Sequence, residues 1–241
     1  MTKVFNINGV CIPGRHYMID LTSKLKDIKK MVDDGQYFTI NRARQYGKTT
    51  TLRALAEYLR NEYLVISLDF QKMSFLDFEN ESAFVNGLAR EIHKKICRMT
   101  AIPDEISHRL YKLSEEKTSC VRMSEIFDCF SEWCERSASP IVLMIDEVDT
   151  ATNNQVFLDF LSQLRAAYLD RDATPAFHSV ILAGVYDIRN IRQKLRPEEE
   201  HKINSPWNIA AKFRVNMSFS AEEIAGMLME YEADYSTGMN I

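Results

Sequence analysis

Four short apolar runs constrain the fold of this chain more than any other feature of its sequence. They occupy residues 37–40, 63–69, 140–145 and 178–184. Between them lie longer segments in which apolar residues recur at spacings of three and four, which is the period of an α-helix. Strands that alternate with helices form parallel sheets, because a parallel pair needs a long crossover connection that packs on one face of the sheet. The sequence therefore predicts an α/β fold of three layers, with helices on both faces of a parallel sheet.

Helix periods and start signals complete this prediction. Helices are expected over residues 22–34, after residue 48, over most of residues 79–138, after residue 152 and after residue 220. Two of them begin with the spacing of a capping box, in which a Ser or Thr precedes a Glu or Gln by three positions. Thr152 with Gln155 is one such pair, and Ser220 with Glu223 is the other. Residues 212–217 are a candidate fifth strand.

Composition and charge exclude several classes of protein. The 241 residues are 46% hydrophobic and 27% charged with a formal net charge of −4, which excludes a disordered chain and a general attraction to nucleic acid or anionic lipid. The longest stretch without a charged side chain, residues 173–186, is shorter than the roughly 20 residues of a membrane span. The five cysteines form no Cys-x-x-Cys pair. We therefore expect no zinc site, no disulfide framework and a reducing, cytoplasmic setting. The lysines within residues 24–30 are interpreted as a solvated helix face rather than a nucleic-acid contact.

Gly47-Lys48-Thr49 stands between a predicted strand and a predicted helix, the position of a phosphate-binding loop. A helix N-terminus offers unpaired backbone N–H groups and a partial positive charge to an anion. Gly47 lets the backbone approach phosphates closely, Lys48 supplies a charge for the β- and γ-phosphates, and the Thr49 hydroxyl is a ligand for Mg²⁺. The consensus places a glycine five residues before Gly47, where this chain has Arg42. A chance tripeptide with a solvated lysine is the alternative.

An acidic pair follows the third apolar run. Asp146 and Glu147 stand at the carboxyl end of this predicted strand, where open α/β sheets bind their ligands. Asp146 is suited to hold the water shell of a metal ion, and Glu147 to orient and deprotonate an attacking water. The alternative is that both carboxylates only cap the next helix.

Two stretches of this sequence resemble a known family. Arg42-Ala-Arg-Gln-Tyr-Gly-Lys-Thr49 resembles the Arg-x-Arg-x-x-Gly-Lys-Ser/Thr variant of the Walker A motif, and residues 142–147 are similar to a Walker B strand. Both are typical of bacterial AAA-like P-loop ATPases, which are related to the signal-transduction (STAND) ATPases. Residues 181–187, 205–209 and 219–224 resemble the same group, so that the likeness runs from about residue 15 to the end.

The resemblance implies a P-loop NTPase sandwich whose sheet has five parallel strands, with the two Walker strands adjacent. It implies ATP and Mg²⁺ as ligands, with Glu147 as the catalytic carboxylate and Thr49 and Asp146 at the metal. The implied nucleotide-binding residues are Arg42, Arg44, Gln45, Tyr46, Gly47, Lys48, Thr49 and Thr50. The two arginines either contact phosphate or adenine or are solvated. The guanine-reading Asn-Lys-x-Asp motif of GTPases is absent, which favours adenine.

Residues after the fourth strand have two interpretations. Tyr186 and Asp187 stand where such ATPases keep a polar sensor of the γ-phosphate, or they are turn residues. Arg189, Arg192 and Arg196 are candidate arginine fingers, although a solvated helix face is the favoured interpretation.

Three segments are predicted along the chain. Residues 1–36 lead into the core, residues 37–217 form the P-loop core, and residues 218–241 begin a helical lid that is apparently truncated. The favoured function is an Mg²⁺-dependent ATPase module that couples ATP binding or hydrolysis to a conformational change. A nucleotide-gated switch with little turnover and a P-loop small-molecule kinase are the alternatives. No membrane partner is expected, and a homo-oligomer or a protein partner contacted through regions beyond residue 241 is left open.

Overall fold

A computed structural model describes residues 2–7, 9–43, 47–99, 101–115, 121–185 and 207–241 of the chain. Its strands are β1 (Val4–Phe5), β2 (His16–Tyr17), β3 (Tyr37–Asn41), β4 (Leu64–Asp69), β5 (Ile141–Asp146) and β6 (Ser179–Gly184). Its α-helices are α1 (Thr22–Asp33), α2 (Lys48–Leu59), α3 (Glu81–Ile96), α4 (Asp104–Glu115), α5 (Met123–Arg136), α6 (Gln155–Leu169) and α7 (Ala221–Tyr235). Short 3₁₀ helices cover Phe70–Lys72, Phe75–Phe78 and Val148–Thr150. The predicted α/β class is confirmed.

Within the described residues, the main sheet has four parallel strands in the order β3-β6-β5-β4. The expected fifth strand at residues 212–217 is wrong for this structure. The chain makes one parallel bridge to β3, between Ala211 and Phe38. Beyond it the residues bury side chains instead of continuing the ladder: Phe213 stacks on Phe38 with ring centroids 5.8 Å apart, and Met217 is buried.

The expectation that the two Walker strands are adjacent is also wrong. β6 lies between β3, which precedes the phosphate loop, and β5, which carries the acidic pair. The register pairs Phe38 with Ile181 on one side of β6 and Leu143 with Val180 on the other. Both neighbours of β6 therefore end at the same edge of the sheet.

The sheet separates two apolar clusters, because successive side chains of a strand point to opposite faces. In β5, Leu143 and Ile145 belong to the cluster covered by α3, α5 and α6, whereas Val142 and Met144 belong to the cluster covered by α1 and α2. All four are at most 1% exposed. Burial on both faces explains why β5 appears in the sequence as a continuous apolar run.

The two predicted capping boxes have different outcomes. Ser220 and Glu223 form the expected reciprocal pair at the start of α7. Thr152 and Gln155 do not, because α6 begins two residues later, with Asn154 as its N-cap. The Thr152 hydroxyl donates instead to the main-chain oxygen of Asp149 at 2.9 Å and closes the preceding turn.

The N-terminal strands and the C-terminal helix pack together beside the main sheet. β1 and β2 pair in parallel, and Phe5, Tyr17 and Tyr231 form a cluster with ring centroids 5.0 to 5.3 Å apart. The Tyr17 hydroxyl donates to Asp234 at 2.5 Å. The ammonium of Lys24 pairs with the carboxylate of Glu223 at the start of α7. Lys24 is buried, so the prediction that it lies on a solvated helix face is wrong for this lysine. The three-segment division of the chain stays a prediction.

None of the helices in the described part of the chain combines the length and the apolar character needed to cross a membrane.

Candidate functional site

The residue that precedes α2 has a backbone conformation that suits a phosphate loop. Gly47 adopts a left-handed conformation with φ 69° immediately before the first residue of α2. A side chain is strained there, whereas glycine accepts this conformation readily. Among the described residues, no atom lies within 4 Å of a Cβ atom built on Gly47. These residues therefore leave the backbone at the helix N-terminus accessible.

Lys48 directs its ammonium back over this turn. Its Nζ donates to the main-chain oxygen of Arg42 at 2.9 Å and to that of Ala43 at 3.3 Å. The residue is only 7% exposed, so its charge is held by the loop rather than by bulk water. Arg42 itself extends the sheet, because its backbone N–H donates to the oxygen of Gly184 at 3.1 Å. The residue in place of the consensus glycine is thus an end-of-strand residue.

A side-chain hydrogen bond joins the phosphate loop to the acidic pair. The Thr49 hydroxyl donates to Oδ2 of Asp146 at 2.6 Å, across 97 positions of sequence. The other oxygen, Oδ1, accepts the backbone N–H of Glu147 at 2.9 Å. Asp146 is 6% exposed at the carboxyl end of β5. Two residues that the sequence assigns to a metal are therefore in direct contact.

Glu147 has an unusual backbone. It lies in the left-handed region with φ 54° and ψ 40°, which is uncommon for a residue with a side chain. Such conformations persist where the surroundings enforce them, and they concentrate at functional sites. Here the main-chain oxygen of Glu147 accepts both the N–H and the hydroxyl of Thr150, at 3.2 and 2.9 Å.

A cleft of about 760 Å³ brings these residues together. Its lining residues are Asn6, Ile7, Gly9, Val10, Cys11, Gly47, Lys48, Thr49, Thr50, Gln71 and Glu147. The N-terminal segment is a wall that the sequence analysis missed. A hydrogen bond ties it to α2, because the backbone N–H of Cys11 donates to the hydroxyl of Thr50 at 3.3 Å.

Several predicted site residues lie outside the described residues. They are Arg44, Gln45 and Tyr46 of the loop, the candidate sensors Tyr186 and Asp187, and the candidate fingers Arg189, Arg192 and Arg196.

Two cysteines elsewhere in the fold are poorly suited to nucleophilic chemistry. Burial raises the pKa of the Cys129 thiol to about 11 and that of Cys134 to about 12. A thiol is nucleophilic as the thiolate, so both are nearly unreactive near neutral pH. Within the ranges that the structure describes, no group of three or more His, Cys, Asp or Glu side chains is arranged to hold a metal on its own.

Comparisons with known proteins agree with this architecture. No curated protein is similar enough in sequence to count as a match. The fold is similar to that of a Walker-type ATPase of Pyrococcus abyssi, with a TM-score of 0.61 and 16% identity over 98% of this chain. Cdc6p of Pyrobaculum aerophilum gives a TM-score of 0.47 and 15% identity over 89% of this chain. Orc1 of Aeropyrum pernix, solved in complex with DNA, gives 0.49 and 10% over 90%.

This chain spans 63% of the Pyrococcus structure, 49% of the Cdc6p structure and 50% of the Orc1 structure. The first likeness shows a P-loop ATPase fold. A family model described as an AAA-like domain matches residues 14–239, and the chain therefore belongs to the AAA-like domain family.

Proposed function

We propose that this chain binds ATP with Mg²⁺ in the cleft between the start of α2 and Glu147 and hydrolyses the bond between its β- and γ-phosphates. The observation that carries the proposal is the contact between Thr49 and Asp146. It joins the first turn of the phosphate-loop helix to the end of the acidic strand, although β6 separates the two strands. If the two residues only capped helices, as in the alternative interpretation, this contact between them would not be needed.

The phosphates would lie at the N-terminus of α2. The first N–H groups of a helix have no partner within the helix, and they carry its partial positive charge. The open position at Gly47 gives an anion access to them. The ammonium of Lys48, now held by two main-chain oxygens, would exchange these neutral acceptors for phosphate oxygens, which form stronger charge-assisted bonds.

The residues present fit a magnesium ion. Mg²⁺ prefers oxygen ligands and is commonly held by one or two protein oxygens, substrate phosphates and water. The Thr49 hydroxyl and the Asp146 carboxylate supply hard oxygens within 2.6 Å of each other. Bound there, Mg²⁺ would neutralise charge on the β- and γ-phosphates.

Glu147 would act on the attacking water. Glu147 lines the cleft together with Lys48 and Thr49, whereas Asp146 is occupied by two hydrogen bonds. A carboxylate that faces the cleft can orient a water and accept its proton. The usual contribution of such a positioned base is a factor of about 10²–10⁴ in rate.

The N-terminal segment suggests how binding is coupled to a conformational change. Asn6, Ile7, Gly9, Val10 and Cys11 line the cleft, and the chain reaches β2 a few residues later, at His16. β2 in turn contacts α7, through Tyr17 with Tyr231 and Asp234. A nucleotide that presses on these lining residues would therefore shift the equilibrium position of α7, provided that it binds the two positions with different affinity.

The test compares the parent chain with Lys48→Ala and Glu147→Gln, using fluorescent-ATP titration and phosphate release with and without candidate phosphoryl acceptors. We expect Lys48→Ala to lower ATP affinity at least tenfold, since a charge-assisted contact contributes about 1.5–3 kcal/mol. Glu147→Gln should keep ATP binding and lower turnover by about 10²–10⁴-fold. Lys112→Ala and Glu135→Gln, at exposed positions on α4 and α5, are the matched controls.

The outcomes separate the alternatives. Binding without phosphate release by the parent chain would indicate a nucleotide-gated switch, and phosphate transferred to an acceptor would indicate a kinase. A parent chain that does not bind ATP, or a Lys48→Ala variant that binds it equally well, would refute the proposal.

A further inference from the structure

The turn that follows β5 is fastened to the end of β6 by one carboxylate. Asp149 lies in the 3₁₀ turn Val148–Thr150, two residues after Glu147. Its Oδ2 accepts the backbone N–H of Val185, the first residue beyond β6. Asp149 is not among the described residues that line the cleft, and its carboxylate contacts the neighbouring strand instead.

The contact is close-packed as well as hydrogen-bonded. A Cβ atom built on Gly184, the last residue of β6, would lie 3.0 Å from both carboxylate oxygens of Asp149 and 3.0 Å from Cγ2 of Val148. Real Cβ atoms seldom approach other atoms so closely. Glycine at position 184 therefore allows the turn after β5 to rest directly on the backbone of β6.

This fastening lies beside a strained residue. Glu147 has a positive φ of 54°, a conformation that residues with side chains adopt at a cost and keep only where their surroundings enforce it. On its N-terminal side, the N–H of Glu147 is held by Asp146. On its C-terminal side, the turn is held by Thr150, which bonds to the oxygen of Glu147, and by Asp149, which bonds to Val185.

We propose that Asp149 is a positioning residue that fixes the direction in which Glu147 faces the cleft. Loss of the bond to Val185 removes one of the restraints on this turn and makes it easier for Glu147 to relax toward a right-handed conformation. That rotation would change the direction of the Glu147 side chain relative to Lys48 and Thr49, with which Glu147 lines the cleft. A displacement of about 1 Å in a catalytic group can cost about 10²-fold in rate. This inference rests on the proposed hydrolysis.

The experiment measures single-turnover ATP hydrolysis and ATP affinity for Asp149→Ala, alone and combined with Glu147→Gln. We expect Asp149→Ala to lower the rate by about 10- to 100-fold and to leave ATP affinity within about twofold of the parent, because the phosphate loop is untouched. In the Glu147→Gln background it should produce no further loss, since residues that act as a unit are non-additive. A purely structural role would lower the rate by the same factor in both backgrounds.

Further variants control for effects of Asp149→Ala other than loss of the bond to Val185. Asp149→Asn retains an acceptor oxygen for the N–H of Val185 and should restore the rate to within about threefold of the parent, since only the charge of the acceptor is lost. Asp159→Ala removes an exposed carboxylate from α6 and should change neither rate nor affinity. If Asp149→Ala does not fold, Gly184→Ala takes its place, because the added methyl group displaces the Asp149 carboxylate without removing it.

The results distinguish this inference from the function on which it rests. A parent chain that does not hydrolyse ATP overturns both. Hydrolysis that is lost in Glu147→Gln but unchanged in Asp149→Ala, or in Gly184→Ala where that variant replaces it, overturns the positioning role alone. A rate loss in Asp149→Ala that recurs unchanged in the Glu147→Gln background also overturns it.

Discussion

The hydrogen bond between Thr49 and Asp146 should be measurable as a coupling free energy in the ligand-free chain. Its length of 2.6 Å lies within the range of charge-assisted O–H···O⁻ bonds, about 2.5–2.7 Å. Bonds to a charged group contribute about 1.5–3 kcal/mol to stability. Because Asp146 keeps the N–H of Glu147 on its other oxygen, we expect Thr49→Val to lower the free energy of unfolding by the lower part of that range, about 1.5–2 kcal/mol.

The partner substitution behaves differently. Asp146→Asn keeps an acceptor oxygen and removes a buried charge, so it should cost about 1 kcal/mol or less. Thr49→Val should then cost only about 0.5–1 kcal/mol in the Asp146→Asn background, which leaves a coupling of about 1 kcal/mol. Urea unfolding of the parent chain, the two single variants and the double variant gives this coupling directly, since the midpoint shifts while the slope stays constant.

The chain supplies a matched control for this cycle. Thr174 donates to Asp170 at 2.7 Å, with both residues exposed. Exposed pairs contribute little because water competes for both partners, so the cycle of Thr174→Val and Asp170→Asn should give less than about 0.5 kcal/mol. Equal couplings at the two pairs, or additive effects of Thr49→Val and Asp146→Asn, would refute the reasoning from burial and bond length.

Two further predictions test the packing and the cleft. Gly87→Ala should destabilise the chain by about 1 kcal/mol or more despite a gain in helix propensity of about 0.8–1 kcal/mol, because its Cβ would lie 2.9 Å from the carboxylate of Asp77. Gly226→Ala is the control: among the described residues its Cβ meets nothing within 4 Å, so it should be neutral or stabilising in the same urea titration. Magnesium ATP should slow the alkylation of Cys11, which lines the cleft, and leave that of the exposed Cys97 unchanged; equal protection of both thiols in a mass-spectrometric time course would contradict the placement of the ligand.

The sequence predicted the elements of the sheet better than their arrangement. Residues 141–146 are buried on both faces, so they form a continuous apolar run that one can recognise without knowing any neighbour. The lateral order of strands has no such signature, because it depends on which faces the intervening helices cover. Residues 212–217 have a strand-like composition, but Phe213 and Met217 pack on the sheet and the ladder stops at Ala211.

The candidate site was likewise predicted only in part. Gly47 and Lys48 are recognisable because a phosphate loop requires these residue types, and Asp146 follows from its place after a buried strand. The wall formed by Asn6, Ile7, Gly9, Val10 and Cys11 was not recognisable, because the contact that ties it to α2 uses the backbone N–H of Cys11. Every residue except proline has such a group, and its use leaves no trace in the residue types.

The main chain at the end of β6 contacts both parts of the candidate site, the phosphate loop and the acidic turn. Adjacent strands lie about 4.8 Å apart, so β3 and β5, with β6 between them, are separated by about twice that distance. Thr49, in the first turn of α2, spans this gap through its hydrogen bond to Asp146. The end of β6 serves both neighbours through its main chain: the oxygen of Gly184 accepts the N–H of Arg42 at 3.1 Å, and the N–H of Val185 donates to Asp149. The phosphate loop and the acidic turn are thereby held to the main chain of the same two residues, and a change that moves this main chain would disturb both at once.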